Sequence, residues 1–574
     1  MRAWGWIAGT LAASWSIASA AQPAPLAIDY KLTPVVQGGA VTSLAIALRF
    51  RGDGRGRLIL DLPDKSMGED KRWRFLSGFS VDGATLRTPD SAHRILTFAS
   101  GARVTLRYSV RSAYDGDPKG ADGNPYKGAV LRSGWFAGLG EHIFAVPHDG
   151  DFWPATFHWG LLPKGWKVAS DLEHGTMGRA MTVADIAEST ILGGADVAVY
   201  RRPIPGGTLR FAVRGKWPFS GDHLADVLGR TAAAQRLFWG SDVKGPFLVT
   251  LFSIEGTGSS GGTGRTDAFA LYGTTDTPES RIRRTIAHEH MHSWIPTRIG
   301  RLPDGETEAL EYWLSEGFTD FYAERTLLKA GIWSLEDFVS DLNDMLLAYD
   351  TSPARNAPNA RIAKEFWTNA AIEQLPYQRG MLFAYLLDYR IRQASRGERN
   401  LDSVMFAMRD AFVAAPDARK PGLVDNFRRA FHAQTTVDVA KALARYVEKG
   451  EAIVLPAGLF GGCAEIRNAR IGVFDKGFDV DKTAATGIFT GVDPHGPAYA
   501  AGIREGMRRI AWLGGRQGDS RVDWSYRVGD GKGQSFVIRY RPAGAERVDV
   551  QEVVLKPGLG PARRAACVRT MSGG

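Results

Sequence analysis

Thr285-Ile-Ala-His-Glu-His-Met-His-Ser-Trp294 sets His288, Glu289 and His292 in an H-E-x-x-H array, within a run of helical character. Residues four apart on a helix lie on one face, a turn above each other, so both imidazoles reach one metal ion. Glu289, beside the first of them, is placed to take the proton of a water at that metal. Outward from this stretch, Thr277 reads as the N-cap, Pro278 as the first helical residue and Glu279 as a complement to the helix dipole. Pro296 marks the end of the helix. A second helix is predicted from about Thr307 to Ala330, closed by Gly331.

Two histidines do not complete a catalytic zinc site, which usually has three protein ligands and an open position. Glu316, in Trp313-Leu-Ser-Glu-Gly-Phe-Thr-Asp320, is the third ligand on this reading. It lies 24 positions after His292, far enough for the chain to leave the first helix, turn and return a carboxylate. The competing reading is an exposed helical carboxylate. Asp320, one turn further on, is positioned to bond the free nitrogen of a ligand histidine and fix its tautomer. His290 points to the other side of the helix and reads as a packing or supporting histidine. Arg298 and Arg301 read as solvated surface, with the cleft wall as the alternative. Ligand type alone does not choose zinc over another divalent metal.

The run HEHMHSW, followed at this distance by WLSEGFTDFY, resembles the gluzincin metallopeptidases and, more narrowly, the glycyl aminopeptidase family. The resemblance spans nearly the whole mature chain and is strongest over residues 285–325. It implies a multidomain α+β fold: an N-terminal β-sandwich-like domain, a thermolysin-like, mostly helical catalytic domain with a small β-sheet, and a C-terminal PDZ-like β domain. It implies an enzyme with one Zn2+ ion that acts on a peptide or protein substrate. By the same resemblance Tyr377, in Pro376-Tyr-Gln-Arg-Gly-Met381, stabilises the oxyanion; periodicity alone makes it an aromatic at a helix start. Relatives bind the substrate's ammonium through an acid in a Gly-rich edge strand before the metal helix. The corresponding stretch is Gly261-Gly-Thr-Gly-Arg-Thr-Asp267, so Gly261, Gly262, Arg265 and Asp267 are the candidate substrate contacts. Arg265 stands there without a Glu, Asp267 is the substitute on offer, and aminopeptidase specificity is weakened accordingly.

The rest of the chain fits that order. At 574 residues it is too long for a single core. The boundaries read as a signal peptide at 1–20, a β domain at 21–205, the peptidase domain at 206–455 and a PDZ-like domain at 456–574. Strand-rich segments such as Arg103-Val-Thr-Leu-Arg-Tyr-Ser-Val110 fill the first domain. Aromatics from Trp135 to Trp166 read as its core and rim, with a ligand platform as the alternative. The loop from Gly256 to Gly264 lacks the G-K-[ST] ending of a phosphate loop, and reads as a flexible loop entering an edge strand at 267–272. In the last quarter, Gly496-Pro-Ala-Tyr-Ala-Ala-Gly-Ile-Arg-Glu-Gly506 looks like a PDZ corner, which implies peptide binding by strand addition.

The net charge of +9 comes from 71 basic and 62 acidic side chains without a like-charge block, so no nucleic-acid partner is expected. Arg2, the apolar run to Ile17 and Ala18-Ser19-Ala20 have the form of a secretory signal, and periplasmic or extracellular localisation is expected. No transmembrane segment is expected in the mature chain. The two cysteines, Cys463 and Cys567, either pair across the last domain or are unrelated thiols. A second class of function also fits the composition: a catalytically inactive, PDZ-containing peptide-binding or chaperone-like protein.

Overall fold

The computed structural model describes residues 25–65, 69–120, 123–174, 180–240, 244–265, 267–303, 305–416, 419–529 and 533–573. The expected signal peptide lies outside them. They form two compact units, one running to Pro118 with Asn124–Asp196, the other made of Lys119–Gly123 and Val197–Gly574.

In the first unit, alternation along Ile28–Gln37 buries Ile28, Tyr30 and Leu32 and turns the residues between them outward. Ala40–Arg51 pairs with it antiparallel, Tyr30 opposite Leu48 and Leu32 opposite Ile46. These strands belong to a five-stranded sheet, and two four-stranded sheets complete the unit. One apolar core joins them, with Leu44 and Leu48 from the first sheet, Leu60 and Leu96 from the second, and Phe136 and Ile191 from the third. The aromatic run is core and rim: Phe136, Phe144 and Phe157 are buried, and Trp153, Trp159 and Trp166 pack against them.

The second unit opens with a mixed sheet of strands β1 (Ala198–Ile204), β2 (Gly207–Arg214), β3 (Phe247–Ile254), β4 (Ser260–Gly264) and β5 (Ala268–Thr274). Its order is β1-β2-β3-β5-β4. The expected boundary at 205 therefore cuts a hairpin: Pro205-Gly206 is the turn between β1 and β2, with Gly206 at φ 75°, and not a linker. The Gly-rich segment also differs from expectation. Ser260–Gly264 is itself the edge strand, and the segment that follows it is an inner strand held between β3 and β4.

Helices α1 (Gly221–Trp239) and α2 (Glu279–Met291) lie on one face of this sheet. Leu224 and Leu228 of α1, with Ile282 and Ile286 of α2, pack on Leu209, Val249 and Leu271. Pro278, not Thr277, caps α2; the Thr277 hydroxyl donates instead to the Ser259 carbonyl (3.4 Å).

The expected helix over 307–330 is broken. A 3-10 turn leads into α3 (Tyr312–Ser315), and α4 (Gly317–Lys329) begins after Glu316. The break falls where α4 meets α6 (Ala370–Ala394): a Cβ on Gly317 would lie 2.4 Å from the Gly380 Cα. Between them in sequence comes α5 (Leu335–Asp350), opened by a capping box at Ser334 and Asp337. These helices share one large core with Phe318, Phe321, Phe338, Leu382 and Met408.

The segment expected to stand alone at 456–574 does not. Strand β6 (Ala464–Phe474) pairs with β10 (Ala543–Leu555), and β10 is fastened to α5. Asn343 donates to the Val553 carbonyl (2.9 Å) and accepts from its N–H (2.7 Å), and Asp350 accepts from Gln551 N–H (2.8 Å). Val553, Cys567 and Met571 are buried in the same core as the helices, the last two from α7 (Pro561–Met571). Only the lobe carrying β7 (Arg508–Gly514), β8 (Trp524–Gly529) and β9 (Ser535–Tyr540) has its own core, around Phe489, Ile503, Tyr526 and Val528.

Cys463 and Cys567 are bonded, Cα atoms 5.4 Å apart, across 104 residues of chain. Closing so long a loop restricts the unfolded chain. The Cys463→Ser/Cys567→Ser double variant should lose about 2–4 kcal/mol of stability. Denaturant unfolding with and without reductant checks this: reductant should destabilise the parent and leave the double variant unchanged. Among the described residues, no helix is long and apolar enough to cross a membrane.

Candidate metal centre and active-site cleft

Opposite the face that packs on the sheet, α2 carries a stripe of Arg281, Arg284, Thr285 and His288, and His292 continues it as the C-cap. The break between α3 and α4 brings Glu316 to this stripe. His288 Nε2 and His292 Nε2 lie 3.1 Å apart, with Glu316 Oε2 3.2 Å from the first and 3.4 Å from the second. The two rings stand at 88° to each other.

Each ring is held from behind. His292 Nδ1 donates to the Ile295 carbonyl (2.6 Å), an acceptor only, so in the neutral ring Nε2 keeps its lone pair. His288 Nδ1 meets Asp320 Oδ1 at 2.8 Å, the partner expected for Asp320 from its spacing. Asp320 is steadied by Arg284 (3.5 Å), which also reaches Glu324 and Asp341, both at 3.1 Å.

The local field favours positive charge where the three donors meet. Burial opposes charge on His288, but Asp320 and Glu316 outweigh it and hold its pKa well above the usual imidazole range. Burial also opposes ionisation of Glu316, yet His292 and His288 hold its carboxyl well below the ordinary range. Donors about 2.0–2.1 Å from one zinc ion, at near-tetrahedral angles, are about 3.1–3.4 Å apart. The three separations match that spacing, and His288, His292 and Glu316 form the group among the described residues able to hold a metal ion. Zinc fits this donor set.

A cavity of about 380 Å³ opens beside it, lined by His288, Glu289, Tyr377, Asp341 and Gln374 among others. Burial pushes the Glu289 carboxyl up, against the pull of His288 and His292. Burial, with Glu316 next, raises the Tyr377 hydroxyl far above its usual range, so it stays a protonated donor. The Tyr377 ring lies 5.9 Å from that of His288. Across the cleft, β4 brings Gly264 so close that a Cβ there would sit 3.5 Å from Glu289 Oε2.

The other residues singled out from the sequence fall elsewhere. His290 donates Nδ1–H to Gln235 Oε1 (2.7 Å) and packs against Phe247 and Trp294. Burial pushes its pKa down to about 3, so it is a neutral core ring. Arg298 bonds the Ser293 carbonyl, and neither it nor Arg301 lines the cavity. Gly261 lies on the cleft, further along β4. Gly262 is the next residue of that edge strand. Arg265 and Asp267 sit at the β4–β5 turn, where the Asp267 charge acts on the buried Arg236.

Sequence reasoning passed over Arg284 and the glycine pair Gly317/Gly380. Arg284 stands four residues before His288, on the same helical face, so its spacing was a readable signal. The glycine contact joins residues 63 positions apart and had none.

Residues 281–374 match the family model described as M61 glycyl aminopeptidase. This chain is a zinc metallopeptidase. The matched segment holds His288, Glu289, His292, Glu316 and Asp320 and stops just short of Tyr377. No curated protein matches the peptidase. Its fold is similar to that of an aminopeptidase N family protein from Idiomarina loihiensis, at 15% identity and a TM-score of 0.66. That likeness covers 94% of this chain and 100% of the other. An M1 zinc metallopeptidase from Deinococcus radiodurans is 17% identical, covering 75% of this chain and 96% of that one, with a TM-score of 0.47.

Proposed function

We propose that this peptidase holds a single zinc ion through His288, His292 and Glu316 and hydrolyses peptide bonds outside the cytoplasm. The observation that carries the reading is the convergence of those three donors beside a cleft shared by Glu289 and Tyr377. When bound, zinc supplies Lewis acidity that acidifies water and polarises the scissile carbonyl. Glu289 is the general base: it takes the proton from the attacking water and returns one to the leaving amine. Tyr377 donates its hydroxyl to the oxygen on which negative charge develops. Asp320, steadied by Arg284, fixes the orientation of His288. The N-terminal sequence supports export.

A peptide is read as adding along β4. Backbone bonds from Thr274 N to Ser259 O and from Arg265 N to Ala268 O set the alternation of the β4–β5 ladder. By that alternation Ser260, Gly262 and Gly264 turn their N–H and C=O groups to the open edge. The lobe around β7–β9 is read as a PDZ-like, peptide-binding module, on its strand set, its separate core and its Gly-Pro-Ala corner.

Aminopeptidase action is the first reading of specificity and rests on the family match. A second reading, acceptance of blocked or internal bonds, is favoured by one observation. Gly264, without a carboxylate, faces Glu289, and Asp267 lies beyond it at the β4–β5 turn, where its charge acts on the buried Arg236. Matched peptides with free and acetylated N-termini, assayed before and after chelation and after zinc is restored, test both levels. Chelation should abolish hydrolysis and zinc should restore it; activity unchanged by chelation would sink the metallopeptidase mechanism. Loss of cleavage on acetylation supports an aminopeptidase, and equal cleavage overturns it.

A further inference from the structure

The cleft does not end at the metal. A second cavity, about 800 Å³, shares Arg284, Thr285, Asp341, Asp344, Gln374 and Tyr377 with the first and continues along α2 to Ser260, Pro278 and Arg281. Its charges divide unevenly. Arg284 is paired with Asp341, Glu324 and Asp320. Arg283 lies 3.6 Å from Glu279 and acts on Asp337. Asp344 is paired with Arg516. Arg281 is the exception: its guanidinium donates to Ser260 Oγ (3.4 Å), and no described carboxylate forms an ion pair with it. The far end of the cleft therefore holds a cation whose charge is unanswered, beside the first residue of the edge strand.

Its position along the cleft is defined by two independent rulers. Arg281 precedes His288 by seven residues, about 10 Å along a helix. Ser260 precedes Gly264, the residue facing Glu289, by four residues, about 13 Å along a strand. An extended peptide advances about 3.3 Å per residue, so Arg281 stands about three residues from the bond beside Glu289. A peptide added antiparallel to β4 runs from Gly264 toward Ser260, with its C-terminal side toward Arg281. Charge selects the same direction, because a cation repels a substrate ammonium and attracts a carboxylate.

We propose that Arg281 is a specificity-determining residue that binds a carboxylate two or three residues downstream of the cleaved bond. The inference rests on the hydrolytic reading of the cleft. The carboxylate is either the C-terminus of a short peptide or an Asp or Glu side chain of a longer one.

The test uses the zinc-loaded full chain and three otherwise identical peptides: one ending in a free carboxylate, one amidated, and one amidated with Glu in place of Gln three residues downstream. The parent should cleave at least one carboxylate-bearing peptide about fivefold better than the amidated control, through KM, with the advantage shrinking at high salt. Arg281→Gln should erase that advantage and leave cleavage of the amidated control unchanged, and Arg281→Lys should restore part of it. Preference for the free terminus alone identifies a short-peptide enzyme; preference for the Glu peptide identifies an acidic side-chain subsite. Equal cleavage of all three by the parent, or an equal loss on all three in Arg281→Gln, overturns the inference. No cleavage of any peptide by the zinc-loaded parent overturns the hydrolytic reading itself, and this inference with it.

Discussion

Glu289→Gln is expected to bind zinc as the parent does while hydrolysing peptides about 10²- to 10⁴-fold more slowly. The separation follows from the geometry. Glu289 is absent from the group of His288, His292 and Glu316, so its loss leaves the donor set whole. Its carboxylate instead faces the cavity and the Gly264 edge. Gln keeps the volume between α2 and β4 but cannot accept a proton. Metal content measured alongside kcat on one preparation decides the matter. Full turnover in this variant would remove Glu289 from the mechanism, and loss of zinc together with activity would make it a support for the metal rather than a base.

Gly380→Ala is expected to be as damaging from a position that touches no substrate. A Cβ there would lie 1.9 Å from the Trp313 carbonyl oxygen and 2.8 Å from the Gly317 Cα. Neither neighbour can yield, since both are backbone. The α4–α6 crossing must open, and overpacking of this kind costs about 1–3 kcal/mol. The crossing also sets the site, because Glu316 directly precedes Gly317 and Tyr377 stands three residues before Gly380. A shift of about 1 Å in such a pair costs about 10²-fold in rate. Thermal unfolding and kcat/KM, measured together, should both fall. A variant with parental values of each would show that the contact does not position the site.

The grouping of the candidate metal donors was legible because it is local. His288 and His292 share a helical face, and Glu316 and Asp320 follow on the next helical run at one-turn spacing. What the sequence concealed depends on chain brought from far away. The bend at Glu316 falls where Gly317 meets Gly380, and the extra strand before Pro205 is evident only once β1 lies against β2. Thr277 looked like a cap because of its type, but the helix starts one residue later than that reading requires, and the Thr277 hydroxyl donates to the Ser259 carbonyl. Periodicity separates strand from helix; it carries no information on which glycine meets which.

The fastening of β10 to α5 through Asn343 and Val553 has a consequence for how this chain came to be, and how it can be cut. The helix that presents Asp341 and Asp344 to the cleft is completed, on its other side, by residues some two hundred positions later. A terminal module that had merely been appended would leave its host intact on removal. This one would leave α5 with an uncovered flank and two unanswered amide bonds. Only the lobe between β6 and β10 is interchangeable in principle, since it is inserted into that pairing rather than strung after it. Exchange of domains among relatives is therefore expected to respect joints near 475 and 542, and to avoid 456.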